Sequence, residues 1–281
     1  MNAFGGASVR EALDSAVIAI AAAGSDTPRL DAEVLLADAL GVDRTALFTH
    51  PGREVKGRAV RAFQDAVRRR SAGREPIAYI TGRRGFRHLE LAVDGRVLVP
   101  RPETELLVEV GVERLPDGAR VVDVGTGSGA VALALAHERP DLEVLATDSS
   151  ADALDVARAN AARLGLDGAV SFFAGDLLAG VGQVQAVLSN PPYVAEGERA
   201  TLAPEIVRHE PPAALFAGAD GLDVIRRLVP AAADAGARLL AIELGEGQAV
   251  AVTQLMRDAG FDDVHARRDL AGIERIVVGT R

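Results

Sequence analysis

The chain has 281 residues, 48% of them hydrophobic and 25% charged, which is typical of a globular protein with a sizeable core and excludes a disordered chain. It contains no cysteine, so disulfides, thiolate catalysis and cysteine-ligated metal sites are excluded. The net charge of −9 is unevenly spread: residues 1–85 hold 13 basic and 10 acidic side chains, and the remainder holds 18 and 30. This acidic remainder argues against a large, nonspecific nucleic-acid surface.

The first eighty residues contain only helical patterns. Apolar residues recur at helical spacing in Val9–Ala23, Arg29–Leu40 and Val55–Arg70, and Asp43–Leu47 can add a short helix. The most apolar run, at the end of the first segment, follows two acidic residues and is too short to span a bilayer. We interpret it as a buried helix face, predict a helical domain over residues 1–82, and expect a cytoplasmic, monomeric protein that contacts no membrane.

Residues 83–100 change character, because apolar residues there partly alternate with polar ones. Asp94-Gly95 is a strong turn signal within this segment, so we predict a β-hairpin linker with its turn at that dipeptide. A helix is then predicted from Arg101 to about Leu115, with acidic residues in its first turn.

From residue 120 the chain alternates between short apolar strands and helices. The predicted strands are Arg120–Val124, Glu143–Thr147, Ala169–Phe173, Ala186–Leu188, Arg238–Ile242, Asp263–Arg267 and Arg275–Val278. The predicted helices are Ala130–Glu138, Ala151–Leu164, Leu222–Ala235 and Gln248–Ala259. This alternation predicts a Rossmann-like α/β domain over residues 101–281, with a seven-stranded, mostly parallel sheet and an antiparallel last strand.

A glycine-rich loop follows the first strand of this domain. Its sequence is Asp123-Val-Gly-Thr-Gly-Ser-Gly129, and the next helix offers unpaired N–H groups to a ligand. A dinucleotide site would need G-x-G-x-x-G, but position 130 is alanine; a P-loop lysine and a nucleophile-elbow glycine are also absent. The G-x-G-x-G spacing after an acidic strand end resembles the first motif of class I methyltransferases, which use S-adenosylmethionine.

Two acidic residues follow the next strands. Asp148 ends the second strand, 23 residues after Gly125, where an acid accepts hydrogen bonds from ribose hydroxyls. It could instead cap the next helix, although Ser149 and Ser150 are available for capping. Asp176 and Leu177 follow the third strand, where the class I fold places adenine.

The fourth strand ends in Ser189-Asn-Pro-Pro-Tyr193, which resembles the signature of amino-group methyltransferases. An amide or aromatic amine nitrogen is a poor nucleophile because its lone pair is delocalised. The Asn190 side-chain carbonyl and the Pro191 backbone carbonyl can accept its two protons and so orient it. Pro192 stiffens the loop, and Tyr193 can pack on the flat face of the target group. Catalysis by such a site is largely positioning.

The chain as a whole resembles the PrmC/HemK family of release factor glutamine methyltransferases. The resemblance spans nearly all of the sequence and is carried by segments in order: Arg74–Gly82 (REPIAYITG), Val99–Leu107 (VPRPETELL), the glycine loop, Ser189–Tyr193, Glu210-Pro211 and Asp220-Gly221. It implies a helical N-terminal substrate-docking domain, a hairpin linker and a class I S-adenosylmethionine-dependent methyltransferase domain.

The resemblance also implies a reaction: methyl transfer from S-adenosylmethionine to the glutamine amide nitrogen in the Gly-Gly-Gln motif of class 1 release factors. The matching cofactor-binding positions are Gly125, Thr126, Gly127, Ser128, Gly129, Asp148, Asp176, Leu177 and Asn190. The matching catalytic and substrate positions are Asn190, Pro191, Pro192 and Tyr193. Arg101 and Glu105 are expected to shape the pocket entrance.

Three other functions remain open at this point. A methyltransferase of adenine or guanine amino groups would use the same clamp, but 10 aromatic residues are few for base stacking. A non-enzymatic adaptor is disfavoured by the intact motifs, and a nicotinamide oxidoreductase by the glycine spacing. The five histidines show no metal-ligand spacing, so we expect no metal, and we expect no stable nucleic-acid binding.

The segment Arg53–Arg74 holds eight basic and two acidic residues. It can be a solvated helix face or a docking surface for an acidic part of the release factor. The docking hypothesis predicts that reversing the charges of Arg61, Arg68 and Arg69 weakens release-factor binding without changing the affinity for S-adenosylmethionine.

Overall fold

The computed structural model describes residues 6–281, so the first five residues of the predicted N-terminal domain lie outside it. Its α-helices are α1 (Val9–Ala22), α2 (Pro28–Leu40), α3 (Thr45–Thr49), α4 (Arg58–Ser71), α5 (Ile77–Thr81), α6 (Glu105–Arg114), α7 (Ala130–Glu138), α8 (Ala151–Leu164), α9 (Pro204–His209), α10 (Asp223–Asp234) and α11 (Ala249–Asp258). Its strands are β1 (Arg83–Phe86), β2 (Leu89–Ala92), β3 (Arg120–Val124), β4 (Glu143–Asp148), β5 (Val170–Ala174), β6 (Ala186–Ser189), β7 (Leu239–Glu243), β8 (Asp263–Arg268) and β9 (Glu274–Thr280).

The chain forms two compact units. The first comprises the residues up to Gly82 together with Ala203–His209, and the second comprises Arg83–Leu202 and Glu210–Arg281. The sequence prediction assigned all of residues 101–281 to one domain. It did not separate the short segment that contains α9, because nothing in the local pattern distinguishes it from an ordinary loop helix.

The first unit is a helical bundle whose core lies between α1, α2 and α4. Ile20, Leu36 and Phe63 are among its buried side chains. The first helix begins at a capping box in which the Ser8 hydroxyl and the Glu11 carboxylate each bond to the other residue's backbone N–H. These signals are local in sequence, which is why the helices could be predicted.

Buried charge joins α4 to the rest of this bundle. The Arg70 guanidinium is buried and donates to Asp31 of α2 at 2.7 Å and to Glu205 of α9 at 2.7 Å. Arg74 also donates to Glu205, at 2.8 Å. Charged groups are rarely buried unless they are paired, so these contacts neutralise charges that the sequence alone assigned to a basic surface.

The second unit is built on a seven-stranded sheet in the order β5-β4-β3-β6-β7-β9-β8. Strands β3 to β7 run parallel, and β9 is antiparallel to both β7 and β8. This confirms the predicted α/β class. After β3 the chain adds β4 and β5 on one side of that strand and then β6 and β7 on the other. In sheets of this kind, ligands bind in the crevice at this switch point, beyond the carboxyl ends of β3 and β6.

The hairpin prediction was wrong about the turn. Its strands are β1 and β2, and the chain reverses at Arg87, while Asp94-Gly95 comes after the second strand. Arg87 adopts a left-handed φ of 48°, and its N–H donates to Glu105 at 3.0 Å while its guanidinium donates to Glu138 at 2.8 Å. Asp94-Gly95 does form a turn, in which the Val97 N–H donates to the Asp94 carbonyl at 3.1 Å, but this turn follows the hairpin and does not connect its strands.

The helix predicted from Arg101 also begins later than expected. Residues Pro102–Thr104 form a 3-10 turn, and α6 starts at Glu105. The tighter turn leaves Thr104 with only 4% of its surface exposed, and its side chain contributes to the site described below. Among residues 6–281, no helix is long and apolar enough to cross a bilayer.

Candidate active site

A cavity of about 360 Å³ opens at the carboxyl ends of β3, β4 and β6 in the second unit. Ligand pockets in proteins generally have volumes of about 300–1,000 Å³, so a small molecule fits here. Ten of the residues predicted from the sequence line it: Gly125, Thr126, Gly127, Ser128, Asp148, Asp176, Leu177, Asn190, Pro191 and Pro192. Gly129 and Tyr193 are not among the described residues that line the cavity.

The three glycines of the loop have different structural roles. Gly125 and Gly127 have left-handed φ values of 75° and 55°, and a Cβ on Gly127 would meet nothing within 4 Å, because that side of the loop is open. A Cβ on Gly129 would instead lie 2.9 Å from Leu133 and 3.3 Å from Ala157. The first two glycines therefore keep the loop turned and leave space beside it, while the third allows close packing.

Asp123 holds this loop from beneath. Its fully buried carboxylate accepts from the Thr126 hydroxyl at 2.7 Å and from the Ala132 N–H at 3.1 Å. Burial raises the pKa of Asp123 to about 7, and the two hydrogen bonds oppose that shift. The sequence marked Asp123 only as an acidic strand end; in the structure it fixes the loop conformation.

Asp148 is the last residue of β4, and its two carboxylate oxygens accept from different backbone N–H groups. Oδ2 accepts from the Gly127 N–H and Oδ1 from the Ser150 N–H, both at 2.9 Å. Helix α8 is capped by Ser150, whose hydroxyl accepts from the Ala153 N–H at 3.2 Å. Capping is therefore done by the serine, and Asp148 is left in the cavity lining with lone pairs that can accept from a ligand.

Asp176 and Leu177 lie at the rim of the cavity. Asp176 is 64% exposed and forms an ion pair with Arg227. Leu177 is half-buried and has a left-handed φ of 53°, an uncommon backbone conformation for a residue other than glycine. Its side chain packs against the core cluster beneath the cavity.

The Asn-Pro-Pro-Tyr segment is held by hydrogen bonds to distant parts of the chain. The buried Ser189 hydroxyl donates to the Val124 carbonyl at 2.7 Å, which ties the end of β6 to the end of β3. The Asn190 amide donates through Nδ2 to the Thr104 hydroxyl at 3.1 Å. Asn190 is half-buried and Pro191 is buried, and both line the cavity beside the glycine loop.

Tyr193 supports this segment from the side of the core. Its ring packs against the cluster of buried residues around β7, and its hydroxyl donates to Glu243 Oε1 at 3.3 Å. Its backbone carbonyl accepts from Gln248 Nε2 at 3.0 Å. The burial of the phenol and the nearby Glu243 charge raise the pKa of Tyr193, so the phenol remains a donor.

Arg101 and Glu105 are not among the described residues that line the cavity, and each is held by a different partner. Arg101 donates to Glu210 at 2.6 Å, and Glu210 is buried next to Pro211, which lines the cavity. Burial raises the pKa of Glu210, and Arg101 opposes that shift. Glu105 does not lie at the entrance: it accepts from the Arg87 N–H and so fixes the hairpin turn.

Sequence reasoning missed Thr104, Glu210 and Glu243 as contributors to the site. Glu243 carried a usable signal, because it is an acid at the end of a strand whose other residues are all apolar. Thr104 carried no such signal, since a threonine in a helix's first turn is ordinary. Within residues 6–281 no group of three or more His, Asp or Glu side chains is arranged to hold a metal ion.

Comparisons with known proteins identify the family. A family model described as the PrmC N-terminal domain matches residues 11–82, and one described as the methyltransferase small domain matches residues 102–250. The release factor glutamine methyltransferase of Deinococcus radiodurans is 44% identical over 279 residues, covering 97% of this chain and 98% of that protein. This chain belongs to the release factor glutamine methyltransferase family. A second member, from Xylella fastidiosa, is 43% identical and covers 95% of this chain and 98% of its own length.

Solved structures agree with the fold of this family member. The hMettl16 catalytic domain superposes with a TM-score of 0.57 at 16% identity, covering 82% of this chain and 84% of that one. A methyltransferase from Pyrococcus furiosus superposes with a TM-score of 0.51 at 17% identity, covering 69% and 89%. At such low identity the likeness shows the class I methyltransferase fold and nothing about the substrate.

Proposed function

We propose that this protein transfers a methyl group from S-adenosylmethionine to the side-chain amide nitrogen of the glutamine in the Gly-Gly-Gln motif of class 1 release factors. The observation that carries the proposal is the position of Asn190. It lines the same cavity as the glycine loop, and its Nδ2 is already engaged by Thr104. The names of its relatives supply the substrate class.

The cavity has the features that S-adenosylmethionine requires. Gly125 and Gly127 leave free space that a side chain would fill, and Asp148 offers carboxylate lone pairs suited to ribose hydroxyls. Thr126 and Ser128 complete the loop, Asp176 and Leu177 form the rim assigned to adenine, and Gly129 lets the following helix pack closely. When bound, the cofactor would supply a methyl group on a positively charged sulfonium; the products would be S-adenosylhomocysteine and a neutral N-methyl amide, with one of the two amide protons released.

The chain's own contribution is to orient the target amide. With Nδ2 of Asn190 bonded to Thr104, Oδ1 is the end available to accept one proton of the glutamine amide, and the Pro191 carbonyl accepts the other. Holding both protons turns the nitrogen toward the methyl donor in a near-attack geometry, which can supply much of the rate enhancement. Pro192 and Tyr193 restrict the segment that carries these two acceptors.

We propose that the helical unit docks the release factor, and that the enzyme acts as a monomer in the cytoplasm. Arg61 and Arg68 on α4 support docking, because both side chains are exposed and near each other at the surface, and the ion pair of Arg68 with Asp65 is itself exposed. Arg69 does not support it, because it is bound to Glu75 by hydrogen bonds of 2.6 and 2.7 Å. We also propose that the protein has no stable nucleic-acid partner and holds no metal.

Peptide mapping tests the proposed reaction. The protein is incubated with methyl-labelled S-adenosylmethionine and a purified class 1 release factor, and the label is located by mass spectrometry. We expect label on the Gly-Gly-Gln glutamine, none on a release factor carrying Gly-Gly-Ala, and none with the Asn190→Ala enzyme. Label on RNA or DNA in place of the release factor would contradict the proposed substrate while preserving the methyltransferase chemistry.

A further inference from the structure

Polar side chains from three separate parts of the second unit meet behind Asn190. Thr104 comes from the turn before α6, Tyr193 from the loop after β6, and Glu243 from the end of β7. Thr104 and Glu243 are 4% and 1% exposed. Asn190 donates to Thr104 and Tyr193 donates to Glu243, while the Thr104 hydroxyl beside the same carboxylate lowers the pKa of Glu243. A buried polar network of this kind is costly unless its members satisfy one another.

The Glu243 carboxylate determines which groups in this network donate hydrogen bonds and which accept them. Burial raises the pKa of Glu243 to about 7, and the Thr104 and Tyr193 hydroxyls and Arg275 oppose the shift, while Glu103 adds to it. At pH 8 the group is therefore ionised and can only accept hydrogen bonds. Its Oε2 is buried and has no hydrogen-bond partner in the described chain, so it is an acceptor toward which the Thr104 hydroxyl proton can be directed.

A threonine hydroxyl has one proton and two lone pairs. If that proton is directed to Glu243, the Thr104 oxygen can only accept from Asn190. The NH₂ end of the Asn190 amide must then face Thr104, as it does in the structure, and Oδ1 is left for a ligand. Without the hydroxyl the amide could rotate and present NH₂ to the NH₂ of the substrate, which places donor against donor.

We propose that Thr104, oriented by Glu243, is a positioning residue that fixes which end of the Asn190 amide faces the substrate. The inference rests on the proposed glutamine methylation, because an amide substrate with two protons needs an acceptor at this position. Thr104 acts through Asn190 and does not itself react. The VPRPETELL segment thereby gains a physical role that its resemblance to the family did not assign.

The test compares two substitutions at one position. Thr104→Val keeps the shape of the side chain and removes the hydroxyl, whereas Thr104→Ser keeps the hydroxyl. At pH 8 we expect Thr104→Val to lower kcat for release-factor methylation about 10- to 100-fold, the range typical when a buried polar group loses its partner. KM for the release factor and Kd for S-adenosylmethionine should change by less than about threefold, and Thr104→Ser should retain kcat within about threefold.

A second measurement reads the amide directly and does not depend on activity. In ¹⁵N-labelled protein, the Asn190 side-chain NH₂ signal is identified by its absence from Asn190→Ala. Its exchange with water should accelerate at least about tenfold in Thr104→Val and stay near the wild-type rate in Thr104→Ser. In the Asn190→Ala background, Thr104→Val should cause no further loss of activity, because the residue through which it acts is missing.

Each outcome separates the inference from the function on which it rests. Full activity of Thr104→Val, or equal losses in the Val and Ser variants, would overturn the positioning role. Unchanged amide exchange in Thr104→Val would overturn it as well. If the wild-type enzyme methylates no release factor but the amide signal responds as expected, the proposed substrate fails and the orientation of Asn190 by Thr104 stands.

Discussion

The two sides of the cavity are built in different ways. On the glycine-loop side, the Asp123 carboxylate bonds to groups three and nine residues further along the chain. On the Asn190 side, the partners lie far apart in sequence: 86 residues separate Asn190 from Thr104, and 65 separate Ser189 from Val124. The glycine loop thus combines local support from Asp123 with a bond from Gly127 to Asp148, 21 residues away, whereas the partners on the Asn190 side are all at least 50 residues distant.

The comparison predicts that damage to the two sides has different kinetic consequences. Asn190→Ala removes the side-chain acceptor for the target amide without touching the glycine loop. We expect kcat to fall by about 10²–10³, as when one preorganised hydrogen-bonding group is deleted from an active site. Equilibrium dialysis with labelled S-adenosylmethionine should show a Kd within about threefold of wild type. A large loss of cofactor affinity would contradict the separation.

Asp123→Asn tests the support beneath the glycine loop through the pH dependence of stability. The pKa of Asp123 is about 7 in the folded protein against 3.8 without burial, so the folded state binds more protons between these values. The stability contributed by this group is therefore present at low pH and is lost as the pH rises toward 7.

Asparagine has no such proton, so the free energy of unfolding of the variant relative to wild type should improve by about 2 kcal/mol between pH 5 and pH 7. Urea unfolding followed by circular dichroism at several pH values measures this difference. Parallel pH profiles for the two proteins would show that the Asp123 carboxyl is not held at a raised pKa.

Asp148→Asn perturbs the cofactor side directly. Hydrogen bonds to a charged acceptor contribute about 1.5–3 kcal/mol, so we expect the affinity for S-adenosylmethionine to fall about 10- to 150-fold. The value of kcat at saturating cofactor should stay within about threefold. Asp176→Asn is the matched control, because Asp176 is exposed and paired with Arg227, and its effect on Kd should be smaller. The reverse order of effects would reassign the ribose contact.

The smallest effect is expected in the helical unit. Arg61→Glu combined with Arg68→Glu should raise KM for the release factor about 2- to 30-fold, since exposed ion pairs contribute about 0.2–1 kcal/mol each. Kd for S-adenosylmethionine should not change. Arg238→Glu with Arg257→Glu, both exposed in the second unit, carries the same change in net charge and should leave KM unaltered. An equal increase in KM in both double variants would indicate nonspecific electrostatic repulsion of the release factor.

Local patterns were sufficient for most elements of the fold. The predicted α7 and α8 have the bounds observed, and the strands of the main sheet differ by at most two residues at either end. The hairpin turn was misplaced because Arg87 is held by Glu105 and Glu138, which lie 18 and 51 residues away. The signal at Asp94-Gly95 did predict a turn correctly, since the Val97 N–H donates to the Asp94 carbonyl there, but a local signal does not determine which strands pair across it.

The sequence alone determined the α/β class, the glycine loop with Asp148, and the identity of Asn190 and its two prolines. These features are legible because strand–turn–helix geometry and the chemistry of short motifs depend on residues close together in the chain. The tertiary structure decided which end of the Asn190 amide is free, which acids are buried, and which arginines are neutralised. Those properties depend on contacts such as Asn190 with Thr104 and Arg70 with Glu205, which form only when segments distant in sequence pack together and water is excluded.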